Sequence, residues 1–359
     1  MIGTDIFDLP TPSLLLDLDA FDSNCRTLSS HLAARGVAWR PHSKAHKSPV
    51  LARRMIDAGA IGITCAKVSE AEVMVAGGVD QILVANQPSN RLAWDRLASL
   101  QGSARVIAAV DSIAHVEAAE AAGHAADETI SLVVEVDIGM NRAGVRSIDE
   151  AVSLARRIEA SDCHFAGVMG YEGHLLTIES PGEKESAIRS AVGIAVEAAE
   201  AIRADGVEVE IVSAGGTGSY EITSEIEGVT EIQAGGGCLM DRFYREMCGV
   251  DLENALFLVA SVGSTPDSKI AIVDAGWKAL PDRGMSPICV EPDGATVSQL
   301  YAEHARLELG DSVDLNIGDR VLLLPGYSDA TTVLHEEFIG FRNGVVEEVI
   351  PLEGRGSLR

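Results

Sequence analysis

The chain is predicted to fold as a (β/α)8 barrel followed by a smaller all-β domain. Three observations carry that expectation. Eight short runs rich in β-forming residues recur with helix-patterned stretches between them. After about Arg245 the helical patterns stop, and strand-like runs follow one another across Gly, Pro and Asp. At 359 residues and 37.8 kDa the chain is roughly twice a typical single domain, which leaves room for a large α/β unit and a second one.

Residues 13–17 form the earliest strand-like run, preceded by Pro10 and Pro12 and lying ahead of the repeating pattern. This run is expected to pair with the β domain. The eight repeating runs are residues 37–40, 61–64, 81–85, 106–110, 132–136, 165–169, 209–213 and 231–234. Stretches such as 69–76 and 187–204, rich in Ala, Glu, Ile and Val at helix-compatible spacing, separate them. A doubly wound sheet would call for a G-x-G-x-x-G between the first strand and helix, and none is present; a count of eight suits barrel closure. Beyond Arg245 the strand-like runs are 256–262, 269–273, 298–301, 320–324 and 344–350. The expected division is a barrel over residues 18–245 and a β domain made of 1–17 and 246–359. No low-complexity linker separates them, so a tight interface is expected.

With 28 Lys+Arg against 54 Asp+Glu, the formal charge is −26. A phosphate backbone would be repelled at long range, so nucleic acid is excluded as an expected partner, while a small anion can still enter a locally positive pocket. Hydrophobic residues at 47% and charged ones at 23% describe a chain able to bury a core. No window reaches the ~18 apolar residues of a membrane span. Six scattered cysteines, without a C-x-x-C pair or a signal-peptide pattern ahead of them, lead to the expectation of a cytoplasmic protein with free thiols.

In a barrel, chemistry gathers at the C-terminal ends of the strands, and phosphate is often held after the seventh and eighth. The seventh run ends in Ser213-Ala214-Gly215-Gly216-Thr217-Gly218-Ser219 and the eighth in Gly235-Gly236-Gly237. Such loops let backbone N–H groups close on an anion, with hydroxyls of Ser213, Thr217 or Ser219 beside them; tight turns alone are the other use of such glycines. After the first run stands Arg40-Pro41-His42-Ser43-Lys44-Ala45-His46-Lys47. A lysine crowded by basic groups has its ammonium form destabilised, which makes the amine a nucleophile toward a carbonyl. A lysine together with a phosphate cradle points to pyridoxal 5'-phosphate. The fifth run ends in Glu135-Val136-Asp137-Ile138-Gly139-Met140-Asn141-Arg142, where Arg142 needs an acceptor: a cofactor oxygen, or Asp137 in an ion pair. The sixth ends in Gly170-Tyr171-Glu172-Gly173-His174, in which Tyr171 and His174 either meet the ring or a substrate proton, or pack.

The segment Arg40-Pro41-His42-x-Lys44-x-His46-Lys47 resembles the lysine motif of the D-threonine aldolase and D-serine dehydratase family, which has an alanine racemase-like fold. Asp137-x-Gly139-Met140-Asn141-Arg142-x-Gly144, Gly216-Thr217-Gly218, Gln233-x-Gly235, Asp274-Ala275-Gly276-x-Lys278, Glu303-His304 and Pro325-Gly326 extend the resemblance over nearly the whole chain. It implies that Lys44 carries the Schiff base and that Arg142 approaches the ring oxygen. It also implies that Ser213, Gly215 to Gly218 and Gly235 to Gly237 surround the phosphate. Gln233 falls where alanine racemases carry an Arg at the pyridine nitrogen. His42 and Tyr171 belong to the same implied cofactor site, and Lys44, Tyr171, His174 and Tyr327 to the implied catalytic set.

The implied activity is a lyase acting on a small-molecule β-hydroxy-D-amino acid, by retro-aldol cleavage to glycine and an aldehyde. Dehydration, racemisation and non-catalytic cofactor binding are the alternatives, and a homodimer is the implied assembly. The family also places a divalent cation, Mg²⁺ or Mn²⁺, on a His two residues before a Cys or Asp that follows the Pro-Gly turn. This chain has Tyr327-Ser328-Asp329, so Asp329 is the one implied ligand retained. His304 and His335 are candidate helpers. The expectation leans to Tyr327, with His174 or His304, handling the proton in place of the metal.

Overall fold

The computed structural model describes all 359 residues. By internal contacts the chain divides into two units. One comprises Arg26–Lys44, Pro49–Gly235 and Gly356–Arg359; the other comprises Met1–Cys25, Ala45–Ser48 and Gly236–Arg355. Strand β1 (Ser13–Asp17) and helix α1 (Leu18–Ala33) open the chain.

The first unit is the barrel. Its strands are β2 (Ala38–Trp39), β3 (Ile63–Cys65), β4 (Gln81–Val84), β5 (Arg105–Val110), β6 (Ser131–Glu135), β7 (His164–Met169), β8 (Ile211–Ala214) and β9 (Glu231–Ile232). Helices α2 (Pro49–Asp57), α3 (Val68–Ala76), α4 (Arg91–Leu100), α5 (Ile113–Ala126), α6 (Ile148–Glu159), α7 (Pro181–Ala204) and the short α8 (Tyr220–Thr223) alternate with them. All pairings are parallel, in the order β2-β9-β8-β7-β6-β5-β4-β3. Hydrogen bonds from Ile61 N–H to the Trp39 carbonyl (2.8 Å) and from Thr64 N–H to the Pro41 carbonyl (2.9 Å), with a parallel bridge between His42 and Thr64, join β3 back to β2 and close the ring. The expected (β/α)8 architecture is what the chain forms.

Strands covered on both faces read as unbroken apolar runs, and β5, β6 and β7 are buried along nearly their whole length. The helices bury one stripe. In α6 the buried residues are Ala151, Leu154, Ala155 and Ile158, spaced i, i+3, i+4, i+7. Ser147 caps it by accepting the Glu150 N–H at 3.2 Å, with acidic Asp149 and Glu150 in the first turn and Arg156 and Arg157 in the last, all favourable to the helix dipole. Leu83, Ile107, Ala109, Val133, Ala166, Met169 and Ile211 form a hydrophobic cluster on the strands.

The second unit is β-rich. It contains β1, then β10 (Leu256–Asp267), β11 (Ile270–Val273), β12 (Ile288–Glu291), β13 (Ala295–Leu300), β14 (Ala305–Leu309), β15 (Arg320–Leu324), helix α9 (Ser328–Thr332), β16 (Glu337–Arg342) and β17 (Val345–Pro351). The order is β13-β14-β11-β10-β1-β16-β17, with β15 pairing both β10 and β12. Strand β1 lies antiparallel to β10, Ser13 facing Val259, and parallel to β16, Leu15 facing Ile339. Ile6, Leu9, Leu15, Val259, Ile339, Phe341 and Val346 make its core. The sequence pattern marks five strands after Arg245. The structure adds three, β12, β14 and β16. No helix of the chain is long and apolar enough to cross a membrane.

Candidate active site

The loop after β2 carries the lysine. Arg40 N–H donates to the Ile232 carbonyl (2.9 Å) and His42 N–H to the Gln233 carbonyl (3.1 Å), so the loop leaves β2 hydrogen-bonded to β9 and its extension. A 3-10 turn, Ser43–Ala45, then presents Lys44, whose own N–H donates to His42 Nδ1 at 3.3 Å. Lys44 is half-buried, with Nζ 6.0 Å from the centroid of the Tyr171 ring. Gly235 has to be glycine here, because a Cβ would stand 2.2 Å from the His42 carbonyl oxygen. Beneath the loop, Arg40 Nε lies 3.1 and 3.0 Å from the two oxygens of Glu231, in an ion pair that is almost wholly buried.

Tyr171, after β7, lies between two glycines. A Cβ on Gly173 would stand 2.4 Å from its Cε1, and one on Gly216 would stand 3.1 Å from its Cε2. The loop following β8 is buried from Ser213 through Tyr220. Glu172, fully buried, fixes the base of that loop. Its carboxylate accepts the Gly215 N–H at 3.2 Å and the Thr223 hydroxyl at 2.6 Å. Ser219 Oγ accepts the Gly216 N–H at 3.1 Å, and Ser213 Oγ accepts from the Gln233 amide at 3.0 Å. Gly215, Gly216, Thr217, Gly218, Ser213, Gln233 and Gly235 thus sit on two adjacent strand ends, β8 and β9, as their spacing implies.

At the end of β6 the structure corrects the reading of the acceptors. Asp137 is not the partner of Arg142: its Oδ2 pairs with Arg146, and its Oδ1 accepts the N–H groups of Gly139 (3.1 Å) and Asn141 (3.0 Å). Arg142 is exposed and its guanidinium stands 3.6 Å from Glu135. Glu135 is buried and also takes a hydrogen bond from Gln87. Burial pushes the Glu135 carboxyl above its ordinary range, opposed by Gln87 and Arg142. His174 is exposed, its Nε2 3.0 Å from the position a Cβ on Gly139 would occupy, so the loops after β6 and β7 touch through that glycine. A cleft of about 820 Å³ opens beyond β3 and β4, bordered by Ala66–Ser69, by Asn86–Asn90, which includes Gln87, and by Gly356–Arg359. There Ser69 N–H donates to the Arg359 carbonyl at 2.9 Å.

Gly236, Gly237, Tyr327 and Asp329 belong to the β-rich unit. Tyr327 Oη donates to Asp329 Oδ2 at 3.0 Å. Its ring packs edge-on against Phe243, centroids 5.2 Å apart, and lies 6.1 Å from Tyr244. Asp241 is buried nearby in the same unit and accepts the N–H groups of Tyr244 (2.9 Å) and Ser328 (2.6 Å). Burial pushes its carboxyl up to about 6, with the Asp329 charge adding to the shift. His335 Nε2 lies 2.9 Å from the Ala279 carbonyl, and His304 is exposed.

Sequence reasoning missed Glu172, Glu135, Gln87, Arg146 and Asp241. Only Glu172 and Glu135 lie inside segments already singled out for chemistry.

A family model described as the alanine racemase N-terminal domain matches residues 16–242, and a serine dehydratase domain model matches residues 255–341. The chain is 34% identical to a 3-hydroxy-D-aspartate aldolase of Paracoccus denitrificans (strain Pd 1222), over 99% of this chain and 94% of that protein. A crystal structure of D-threonine aldolase from Filomicrobium marinum superposes with a TM-score of 0.96 at 34% identity, covering 100% of this chain and 99% of the other. D-threo-3-hydroxyaspartate dehydratase from Delftia sp. HT23 follows at TM-score 0.88 and 27% identity, over 97% and 98% of the two chains. A mutant of that dehydratase has been solved in a metal-free form.

Proposed function

The chain belongs to the family of alanine racemase-fold proteins that carry a serine dehydratase domain, and from that premise we propose that it is a pyridoxal phosphate-dependent lyase. Its reaction is the cleavage of a β-hydroxy-D-amino acid to glycine and an aldehyde. The observation that carries this reading is the barrel mouth itself: Lys44 beside Tyr171, next to a buried loop of glycines and hydroxyls.

The residues present fit the cofactor. Residues 213–219 hold hydroxyls and backbone donors but no acidic side chain. The nearest carboxylate on the preceding loop, Glu172, has its oxygens occupied by the Gly215 N–H and the Thr223 hydroxyl, so it holds the loop's shape without facing an anion. When bound, pyridoxal phosphate supplies an electron sink for the pair released as the substrate's Cα–Cβ bond breaks.

This chain's own residues do the rest. Lys44 would anchor the cofactor through its amine, on a turn that His42 closes. Ser213, Gly215, Gly216, Thr217, Gly218, Gly235, Gly236 and Gly237 would bind the phosphate. Gln233, whose amide is oriented by Ser213, would offer a neutral group to the ring nitrogen. Arg142, backed by the Glu135–Gln87 pair, would serve the ring oxygen. Tyr171 is held at its two ring edges by its two glycines, and Tyr171, His174 and Tyr327 are the groups that would be available to hold or move the substrate's protons. The assembly is a homodimer and the compartment is the cytoplasm.

The test is to supply pyridoxal phosphate to the purified protein and incubate it with D- and L-threonine, D-serine and the stereoisomers of 3-hydroxyaspartate. Glycine and an aldehyde from the D-configured β-hydroxy amino acids are expected. A keto acid with ammonia, a change of configuration alone, or no turnover would replace the aldolase reading with dehydration, racemisation or cofactor binding respectively.

A further inference from the structure

The resemblance implies a divalent cation beside Asp329, and a relative is known in a metal-free form, which makes the metal a property to be tested on this chain's residues. The donor set does not fit. Position 327 holds a phenol, whose neutral oxygen is a poor ligand for a hard cation. In the structure that hydroxyl is spent as a donor, Tyr327 Oη to Asp329 Oδ2 at 3.0 Å, so it takes up one of the two carboxylate oxygens.

The remaining candidates are also committed elsewhere. Asp241 takes two backbone N–H groups, His335 engages the Ala279 carbonyl, and His304 stands in solvent. Nowhere in the chain do three or more His, Cys, Asp or Glu side chains converge as a metal site would require. A hard divalent ion asks for ~6 oxygen ligands. Phe243 at 5.2 Å holds the Tyr327 ring edge-on, so the pair is built in place rather than left as a loose substitution.

We propose that the hydrogen-bonded pair Tyr327–Asp329 takes the place of a divalent-cation site in this chain. Asp329 then holds the Tyr327 hydroxyl where the resemblance implies an ion, and the protein works without added metal. The proposal rests on the donor chemistry, and on the lyase reading only where activity is the readout.

The experiment therefore has a readout that does not depend on turnover. The cofactor-loaded protein is dialysed against chelator, titrated with Mn²⁺ and followed by the resonance of the free ion, with Tyr327→His alongside. The expected results are no specific Mn²⁺ binding by the wild type, and binding at least ~10-fold tighter in Tyr327→His, which restores a nitrogen ligand beside Asp329. If the lyase activity is found, chelator leaves it intact. One Mn²⁺ or Mg²⁺ per wild-type chain would overturn the proposal, as would activity abolished by chelator and restored by either ion. A Tyr327→His protein that gains no Mn²⁺ affinity would also overturn it, since position 327 would then not be what excludes the cation. A protein inactive on every amino acid would sink the lyase reading and leave the Mn²⁺ result to decide the proposal.

Discussion

Two buried carboxylates carry more of the barrel's geometry than the residues expected to do its chemistry. Glu231 and Arg40 form an ion pair whose side chains are 3% and 6% exposed, directly under the lysine loop. Removing one partner strands a buried charge, so Glu231→Gln should cost roughly 3–5 kcal/mol in a urea melt. The double change Arg40→Met with Glu231→Leu should cost much less than the sum of the single ones; additive losses would show that the pair is not coupled. Glu172 plays the parallel role under the glycine loop, and Glu172→Ala leaves the Gly215 N–H and the Thr223 hydroxyl without their acceptor. Retention of pyridoxal phosphate through gel filtration should then fall by about 10- to 100-fold in apparent affinity, as for other residues that orient a binding shell. Unchanged retention would make Glu172 a purely structural acid. The placement of Lys44, Tyr171 and the first glycine loop at strand ends was legible because their residue types stand out there. Glu172 was not, although it sits between Tyr171 and His174, because its partner Thr223 is 51 positions away and an isolated Glu ordinarily reads as solvated surface. Arg142 and Arg146 show the same limit: two arginines four apart compete for Asp137 and Glu135, and only the backbone path decides which takes which.

At the level of elements, the barrel was legible almost strand by strand, since a parallel strand covered on both faces writes itself as an apolar run. The β-rich unit was less so. In β14 only Ala305, Leu307 and Leu309 are buried while Arg306 and Glu308 point outward, and a period-two pattern broken by charges looks like loop when runs of hydrophobics are the signal sought. Strand β12 is half-exposed along its short length and offers even less. The loop between β8 and α8 is the element proposed to hold the cofactor's phosphate. A side chain at Gly216 would press on Tyr171, 3.1 Å from the Cβ position, and a carboxylate there would add like charge beside a bound phosphate. Gly216→Glu should therefore lose the cofactor's visible absorbance while keeping the far-ultraviolet circular dichroism of the barrel. A variant that retains the cofactor in full would return the loop to the role of a tight turn. Helix α6 gives an independent control on element stability, for Ser147→Ala removes a cap and should cost about 1 kcal/mol with no effect on cofactor content.

Over the whole molecule, 54 acidic side chains against 28 basic ones make stability sensitive to pH, but two buried groups set opposing slopes that can be separated from that background. Burial depresses the His46 imidazole to about 3, with the Lys47 charge acting in the same direction, and its Nδ1 accepts the Ser48 N–H, a bond that protonation would break. An unfolded histidine binds its proton near ~6.5, so the unfolded chain holds the extra proton between there and about 3, and the stability His46 contributes is full above that window and is lost as pH falls through it. Asp241 works the other way. Its folded value of about 6 lies above the ~3.9 of a free aspartate, so the folded chain holds the extra proton, and the stability it contributes is present at low pH and lost as pH rises toward 6. Each slope is ~1.4 kcal/mol per pH unit, and between about pH 4 and 6 they cancel. Asp241→Asn removes the falling slope. Its stability relative to wild type, taken from urea midpoints, should therefore improve by ~3 kcal/mol as pH goes from 4 to 6. In His46→Gln the difference should run in the reverse sense over the same range. The shared repulsion among surface carboxylates drops out of both differences. Parallel curves for wild type and Asp241→Asn would mean that the aspartate is ionised in the folded chain throughout, held by the Tyr244 and Ser328 N–H groups more strongly than burial opposes it.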